Sequence, residues 1–403
     1  MKVLIVQSQG LGDLPSGEIT VITQEKATLL ELGHQVDTFI YSPENTNKKG
    51  LMSIFAKMKI AYSILWSFSS YKQLKQLIET HKPDVVHFHT IMPFLSLSVL
   101  KAARRKGVPI IQTLHNFRWL CVEGGFYRHG MYCNRCTGNT GWNGVRFRCS
   151  RGLQASVLLF LVNVVARKSG FLVSSVSKFI AVSDYVKREY VQSGFPESKL
   201  VVKNNALPEM GSRFQVHNKS QRTGIAFVGR ISTAKGIQVI RYLISRIEQP
   251  VHIVGNGPEL DQLERFCEQG SYSHVKLWSK QSHEAVLNIL SGVCCSVIPS
   301  QCGETFSLVA SESLALGTPI VGSNIGGVKS MIDRSDGGIT VDPRDYDGFL
   351  GAVKMFLSSP EKVVEYGERG RYFVNKELPK EKLAVQLENI YLEAIRENEE
   401  KKC

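Results

Sequence analysis

Short β-rich apolar runs, each followed by a glycine-bearing loop and a helical segment, recur along almost the whole chain. This alternation restricts it to an α/β architecture with parallel sheets. The run KVLIVQ is followed by a loop carrying Gly10, Gly12 and Gly17, a helix over Thr20–Leu32 closed by Gly33, and a strand over Gln35–Tyr41. VVHFH at 85–89, a helix ended by Gly107 and PIIQTLH at 109–115 continue the series. The second half repeats it with GIAFVGR (224–230), VHIVG (251–255), VKLW (275–278) and SVIPS (296–300), with helices from about Gly236 and through Leu260–Phe266 and Glu284–Leu290. The polar stretch Asn204–Thr223, with Pro208 and Gly211 and no periodicity, reads as the linker. The expected organisation is two doubly wound domains facing each other across a cleft. Domain one spans 1–205 with an insertion at 116–152, domain two spans 206–375, and a C-terminal helix over 376–403 packs back toward domain one. In such sheets ligands bind beyond the carboxyl ends of the strands.

Charge divides unevenly between these halves. Residues 1–203 hold 26 Lys plus Arg against 12 Asp plus Glu, a balance of +14, so the remainder holds 49 − 26 = 23 against 36 − 12 = 24, a balance of −1. Such asymmetry suits an anionic membrane face, an acidic substrate or nucleic acid. The apolar run Ala155–Ala166 is too short to cross a bilayer, which needs roughly 20 residues. Residues 51–78 interleave aromatics, aliphatics and lysines, as a core helix pair or an interfacial surface would. The N-terminal MKVLIVQSQG has the pattern of a buried strand rather than an export signal, so the expected location is the cytoplasm, with peripheral contact at the inner membrane face. A single dinucleotide domain fits poorly, because Gly10, Gly12 and Gly17 only loosely match G-x-G-x-x-G and the second strand ends at Tyr41 with no acidic residue placed for a ribose.

The stretch GETFSLVASESLALGTPIV (303–321) places Glu304 and Glu312 eight positions apart in an otherwise uncharged run. The apolar spacing predicts a helix from about Phe306, stopped by Gly317 and Pro319. Glu304 then lies in the loop, and Glu312 about 9 Å along the axis with its side chain tilted back toward the N-terminus. The backbone N–H groups of Phe306, Ser307 and Leu308 would form an anion site between the two carboxylates. The plainer alternative has Glu304 complementing the helix dipole and Glu312 on a solvated face.

The wider pattern decides between them. Gly229-Arg230 after a strand, Lys235-Gly236, Gly255-Asn-Gly257-Pro-Glu259, Pro299-Ser300, Glu304-x7-Glu312 and Gly317-Thr-Pro-Ile-Val321 together resemble the donor domain of retaining glycosyltransferases of the GT-B fold, family 4 type, the glycosyl transferases group 1. Ser16-Gly17-Glu18, Gly33-His34, Asp84-Val-Val-His87-Phe-His89, Thr113-Leu-His115-Asn116 and Val202-Lys-Asn-Asn205 extend the resemblance over nearly the whole chain. It implies two Rossmann-like domains and an enzyme of bacterial surface-polysaccharide type. Such an enzyme moves a sugar from a UDP- or GDP-sugar to a glycan or lipid-linked acceptor, without a catalytic divalent metal. Arg230, Lys235 and the amides at 306–308 would hold the diphosphate, Glu312 the ribose and Glu304 the transferred sugar. Gly17 would admit the diphosphate closely, and His115 would stand beside the reacting sugar, a structural histidine being its alternative. His87 and His89 match the family's reacting histidine less well and stay outside the catalytic set. The chain departs from the family pattern at Thr305, Ser307, Ser313 and Lys329-Ser330.

Downstream of His115, four cysteines follow as C-x11-C-x2-C-x12-C: Cys121, Cys133, Cys136 and Cys149. In a Gly-rich loop without an evident core this pattern suits a structural tetrathiolate zinc, with a redox pair or unrelated thiols as rivals. The surrounding arginines would meet a phosphorylated acceptor or the membrane face. A zinc-containing nucleic-acid-binding protein would use the basic half and this loop, but it leaves the paired glutamates without a role. No nucleic-acid partner is expected. A GT-B-fold sugar-nucleotide epimerase is the other alternative.

Overall fold

The computed structural model describes residues 1–8, 17–41, 64–92, 95–138, 141–207, 222–279 and 281–402. Gly10, Gly12, Ser16 and most of the linker, with Pro208 and Gly211, lie outside the described residues, as do residues 51–63 of the aromatic-rich stretch. The chain forms two compact units. Unit 1 comprises 1–126, 134–204 and 380–403, and unit 2 comprises 127–133 and 205–379.

The unit 1 sheet contains β1 (Lys2–Ser8), β2 (Gln35–Tyr41), β3 (Val85–Phe88) and β4 (Ile110–Leu114). A short hairpin of β5 (Tyr127–Arg128) and β6 (Met131–Tyr132) follows, before β7 (Lys178–Ala181) and β8 (Leu200–Val202). The sheet order is β2-β1-β3-β4-β7-β8, and every pair in it is parallel. Val3, Ile5, Val85, Ile111 and Ile180 are buried from these strands, as a sheet covered on both faces requires. The last helix, Lys380–Glu400, completes this core with Leu387, Ile390, Tyr391 and Ala394 at helical spacing. Its polar side is fastened by Lys178, whose ammonium meets Glu393 at 2.8 Å and Glu397 at 3.0 Å.

Unit 2 contains β9 (Ile225–Val228), β10 (Val251–Val254), β11 (Val275–Trp278), β12 (Cys295–Ile298), β13 (Ile320–Ser323) and β14 (Gly338–Val341). Their order is β11-β10-β9-β12-β13-β14, again parallel throughout. Strand order reverses between β9 and β12, as it does between β1 and β3 in unit 1, and such switch points open a crevice at the strands' carboxyl ends. The helix Tyr346–Ser358 covers one face with Phe349, Val353 and Phe356.

One boundary differs from expectation in a way that matters. The helix expected from Phe306 runs from Leu308 to Ala315, with extended Ser307 as its N-cap accepting from the Ala310 N–H at 3.3 Å. A serine side chain that can bond N3 stabilises the cap conformation over another helical turn, so propensity yields to local hydrogen bonding. At the other end of this helix, buried Arg222 donates to the carbonyls of Leu316 (2.8 Å) and Gly317 (2.7 Å) and to Thr318 Oγ1 (2.8 Å). Replacing it leaves several acceptors unsatisfied in a dry environment. We expect Arg222→Ala to cost about 3 kcal/mol, read as a lowered melting midpoint of unit 2. Arg222→Lys should recover only part, since one ammonium cannot reproduce the guanidinium fork.

Candidate active site

In unit 2 the carboxyl ends of β9 and β12 deliver the loops that carry charge. Lys235 ends a 3-10 turn, Thr233–Lys235, and its Nζ lies 2.7 Å from Glu304 Oε1. Burial pushes the ammonium pKa down, but the Glu304 charge outweighs it and holds Lys235 above its ordinary value. Ser300 Oγ also donates to Glu304. The Glu304 loop is held by close backbone approach: Gly327 N–H donates to the Glu304 carbonyl at 2.6 Å, and a Cβ on Gly327 would lie 2.7 Å from the Thr305 carbonyl oxygen. Only glycine fits there without moving the loop. Gly236 is constrained in the same way, at φ +79° with the Pro299 carbonyl oxygen 1.9 Å from any Cβ.

Glu312, with a side chain only 7% exposed, is paired with His283, whose Nε2 lies 2.8 Å from Oε1. His283 opens the helix His283–Gly292, behind the N-cap Ser282. Its pKa is raised, chiefly by the hydrogen bond to Glu312 and against the opposing effect of burial. Sequence reasoning missed this residue. The available signal was a histidine at the first position of a helix, where a cation opposes the dipole unless a carboxylate meets it. Phe306, Ser307 and Leu308 stand between the two glutamates, and no described protein group accepts from their backbone N–H groups. Arg230 is exposed just beyond β9, without a side-chain partner among the described residues. The arrangement is a helix N-terminus and two cationic side chains flanked by two carboxylates, which suits a ligand with both anionic oxygens and hydroxyls.

In unit 1, Gly17 is the first residue of the helix Gly17–Glu31. His115 follows β4, and its Nε2 lies 2.8 Å from His89 Nδ1. Burial holds the His115 imidazole below its ordinary pKa, against Glu18 and Glu25, which raise it. His87 and His89, side by side on β3 and just after it, are fully buried, and burial keeps both well below the usual range.

The cysteine segment is built differently from the expectation. Phe117, Leu120, Val122 and Phe126 are all buried, and Phe117 stacks on Phe126 at 4.1 Å and packs edge-on to Tyr185 at 5.5 Å. The segment therefore has an apolar core of its own, and the premise that a metal must order it falls away. No disulfide joins Cys121, Cys133, Cys136 or Cys149. Among the described residues, the one group of three candidate ligands with donor atoms within 4.8 Å of one another is Glu25, His87 and His89, so the thiols form no such group. Thiolates around zinc would stand about 3.8 Å apart, given Zn–S bonds of about 2.3 Å. The Cys121 thiol is pushed up by burial to about 11. The β5-β6 hairpin belongs to unit 2, where Tyr127 hydrogen-bonds Thr233 beside Lys235.

Comparison with known proteins places these features in one family. The family described as Glycosyltransferase Family 4 matches residues 17–208, and that described as Glycosyl transferases group 1 matches residues 211–373. The chain belongs to the group 1 glycosyltransferases. An uncharacterized glycosyltransferase of Methanocaldococcus jannaschii is 21% identical over 365 residues, 91% of each chain. The glycogen synthase of Mycobacterium tuberculosis is 25% identical over 325 residues, covering 78% of this chain and 70% of the relative. Among solved structures, Anabaena HepE in complex with UDP superposes with a TM-score of 0.64 at 14% identity, over 97% of this chain and 99% of HepE. The glycosyltransferase has the GT-B fold, and neither the epimerase nor the nucleic-acid reading is favoured. Among its described residues no helix is long and apolar enough to cross a membrane.

Two outcomes follow from this geometry. Because His283 has a raised folded pKa, its charged pairing with Glu312 contributes stability that is complete below about pH 6.5, the unfolded value, and is lost as pH rises through the folded pKa. The melting gap between wild type and His283→Asn should therefore be widest in mild acid and close on the alkaline side; a gap that widened with pH would reverse the assignment. For the thiols, elemental analysis of protein purified without chelator should find zinc well below one per chain, whereas one zinc per chain would require the segment to rearrange and gather them.

Proposed function

We propose that this enzyme transfers a sugar, with retention of anomeric configuration, from a UDP- or GDP-sugar to a glycan or lipid-linked acceptor in cell-surface polysaccharide synthesis. The observation that carries the reading is the pair of low-exposure carboxylates, Glu304 and Glu312, each already matched to a basic side chain, on either side of a helix N-terminus. The UDP complex of HepE supports a nucleotide-sugar donor. A diphosphate would take the amides at 306–308 with Arg230 and Lys235, and Glu312 would accept from the ribose hydroxyls in exchange for part of its His283 contact. Glu304, fixed by Lys235 and Ser300, would receive hydroxyls of the transferred sugar. Gly17 and His115 keep the roles that the family resemblance gives them.

In the step we favour, the bond between anomeric carbon and phosphate oxygen breaks through an oxocarbenium-like state. The acceptor oxygen bonds to the same face of that carbon, and its proton passes to the departing phosphate. Lys235, Arg230 and the helix amides stabilise the charge that develops on the diphosphate, the task a divalent ion performs elsewhere. For the acceptor side we propose contact with an anionic membrane surface at the cytoplasmic face. Unit 1 exposes Trp142, Leu153, Leu161 and Val165 close in sequence to Arg151 and Lys168, an apolar face with a cationic border.

Melting curves with UDP, GDP, ADP and CMP test the donor assignment. One nucleotide should stabilise the protein selectively, and Glu312→Ala and Lys235→Ala should each reduce that shift by at least half. Glu304→Gln should impair sugar transfer far more than nucleotide binding. Equal stabilisation by all four, or an undiminished shift in both alanine variants, would overturn the donor site.

A further inference from the structure

Two polar atoms deep in unit 1 are turned toward each other without closing a hydrogen bond: Glu25 Oε2 and His89 Nε2 stand 3.6 Å apart, in side chains 6% and 0% exposed. Among the described residues neither atom has a hydrogen-bond partner. The other oxygen of Glu25 accepts from Lys203 Nζ at 2.5 Å, and the other nitrogen of His89 lies 2.8 Å from His115 Nε2. Four side chains from four parts of the chain thus form one line: Lys203, Glu25, His89, His115. We propose that Glu25, anchored by Lys203, positions His115 through His89 by fixing which nitrogen of each imidazole carries the proton.

The order follows from what each group can donate. Burial alone would raise the Glu25 pKa, but Lys203 and His89 outweigh it and keep the carboxylate ionised and accepting only. A neutral His89 facing that oxygen carries its proton on Nε2, so its Nδ1 is an acceptor. His115 must then donate from Nε2, and a neutral His115 is left with its lone pair on Nδ1. An imidazole so ordered can receive a hydroxyl hydrogen bond at Nδ1 and cannot supply one there. Glu18 also bears on His115 from the first turn of its helix, and by accepting from Nδ1 it would favour the opposite order, but its buried Oε1 makes no hydrogen bond among the described residues, so the line from Glu25 sets the order. His87 stands apart from the line, with Nε2 bonded to Thr113 Oγ1 and Nδ1 to Tyr391 Oη, each at 2.7 Å. Glu25, His87 and His89 are also close enough to share a metal ion. A cation there would compete with the Lys203 ammonium for Glu25 and break a hydrogen bond of His87, so charge and partners favour the proton-ordering role.

This inference rests on the reading of His115 as catalytic, and the test separates the two. Long-range proton–nitrogen correlation spectra of the full chain labelled in histidine, with His115 assigned by His115→Asn, should show the Nε2–H form of His115 in the wild type. In Glu25→Gln the amide oxygen stays on the Lys203 ammonium, so the amide NH2 donates to His89 Nε2 and the order reverses, giving the Nδ1–H form of His115. Glu25→Leu combined with Lys203→Met removes both buried charges together and should give a mixture of forms. With the nucleotide sugar selected by the melting screen, the double variant and Glu25→Gln should each lose roughly 10- to 100-fold in kcat at nearly constant KM. An Nδ1–H wild-type His115, an unchanged form in the folded double variant, or stoichiometric metal that disappears in His89→Phe would each overturn the positioning role. Full turnover by His115→Ala would instead sink the catalytic reading while leaving the proton order intact.

Discussion

A parallel strand cannot return through a tight turn; it must be followed by a crossover, and the crossover covers the sheet face. That constraint governs both units of this protein. It commits the strands to apolar residues on both faces and sends the loops that follow the strands to the same edge. Lys235, Ser300 and Glu304 meet because they follow β9 and β12, which lie next to each other although 70 residues separate their starts. His89 and His115 meet for the same reason, at the ends of adjacent β3 and β4.

Charge inside these edges is handled by pairing. Lys235 with Glu304, His283 with Glu312 and Lys203 with Glu25 each place one basic group on one carboxylate in a partly or wholly dry setting. Leaving either partner alone would expose an uncompensated charge to low dielectric, which is far more costly than the pair is stabilising. The first two pairs involve residues that a ligand could engage and are partly open to solvent. The third is closed over by the core of unit 1, which suits an element that sets geometry rather than one that changes partners.

Much of this was legible in the sequence. The strand–helix alternation gave the class of fold, and the run from Gly229 to Val321 gave the family, because its glycines mark places where backbone meets backbone, as Gly236 does on Pro299. The start of the Glu312 helix was less legible: whether Phe306 or Leu308 opens it depends on one hydrogen bond that the Ser307 hydroxyl accepts from the Ala310 N–H, which periodicity does not register. The partners of the site residues were hidden for a different reason. His283 lies 29 residues before Glu312, and Lys203 lies 178 residues after Glu25. Only the sheet order brings them together. The local core of the cysteine segment was hidden in the sequence because the aromatic residues that supply it, Phe117 and Phe126, carry no signature of their own.

The return of the helix Lys380–Glu400 to unit 1 sets an order of assembly. Domains tend to fold as they leave the ribosome, the earlier ones first. Here the larger part of unit 2, residues 205–379, is a continuous stretch that emerges whole before the last helix is synthesised. Unit 1 begins first and finishes last: until Leu387, Ile390 and Tyr391 arrive, its sheet has an uncovered apolar face and His87 has no phenol to meet. A ribosome that stops early therefore releases a chain with a finished second unit and an open first one, which protein quality control can recognise by its exposed core.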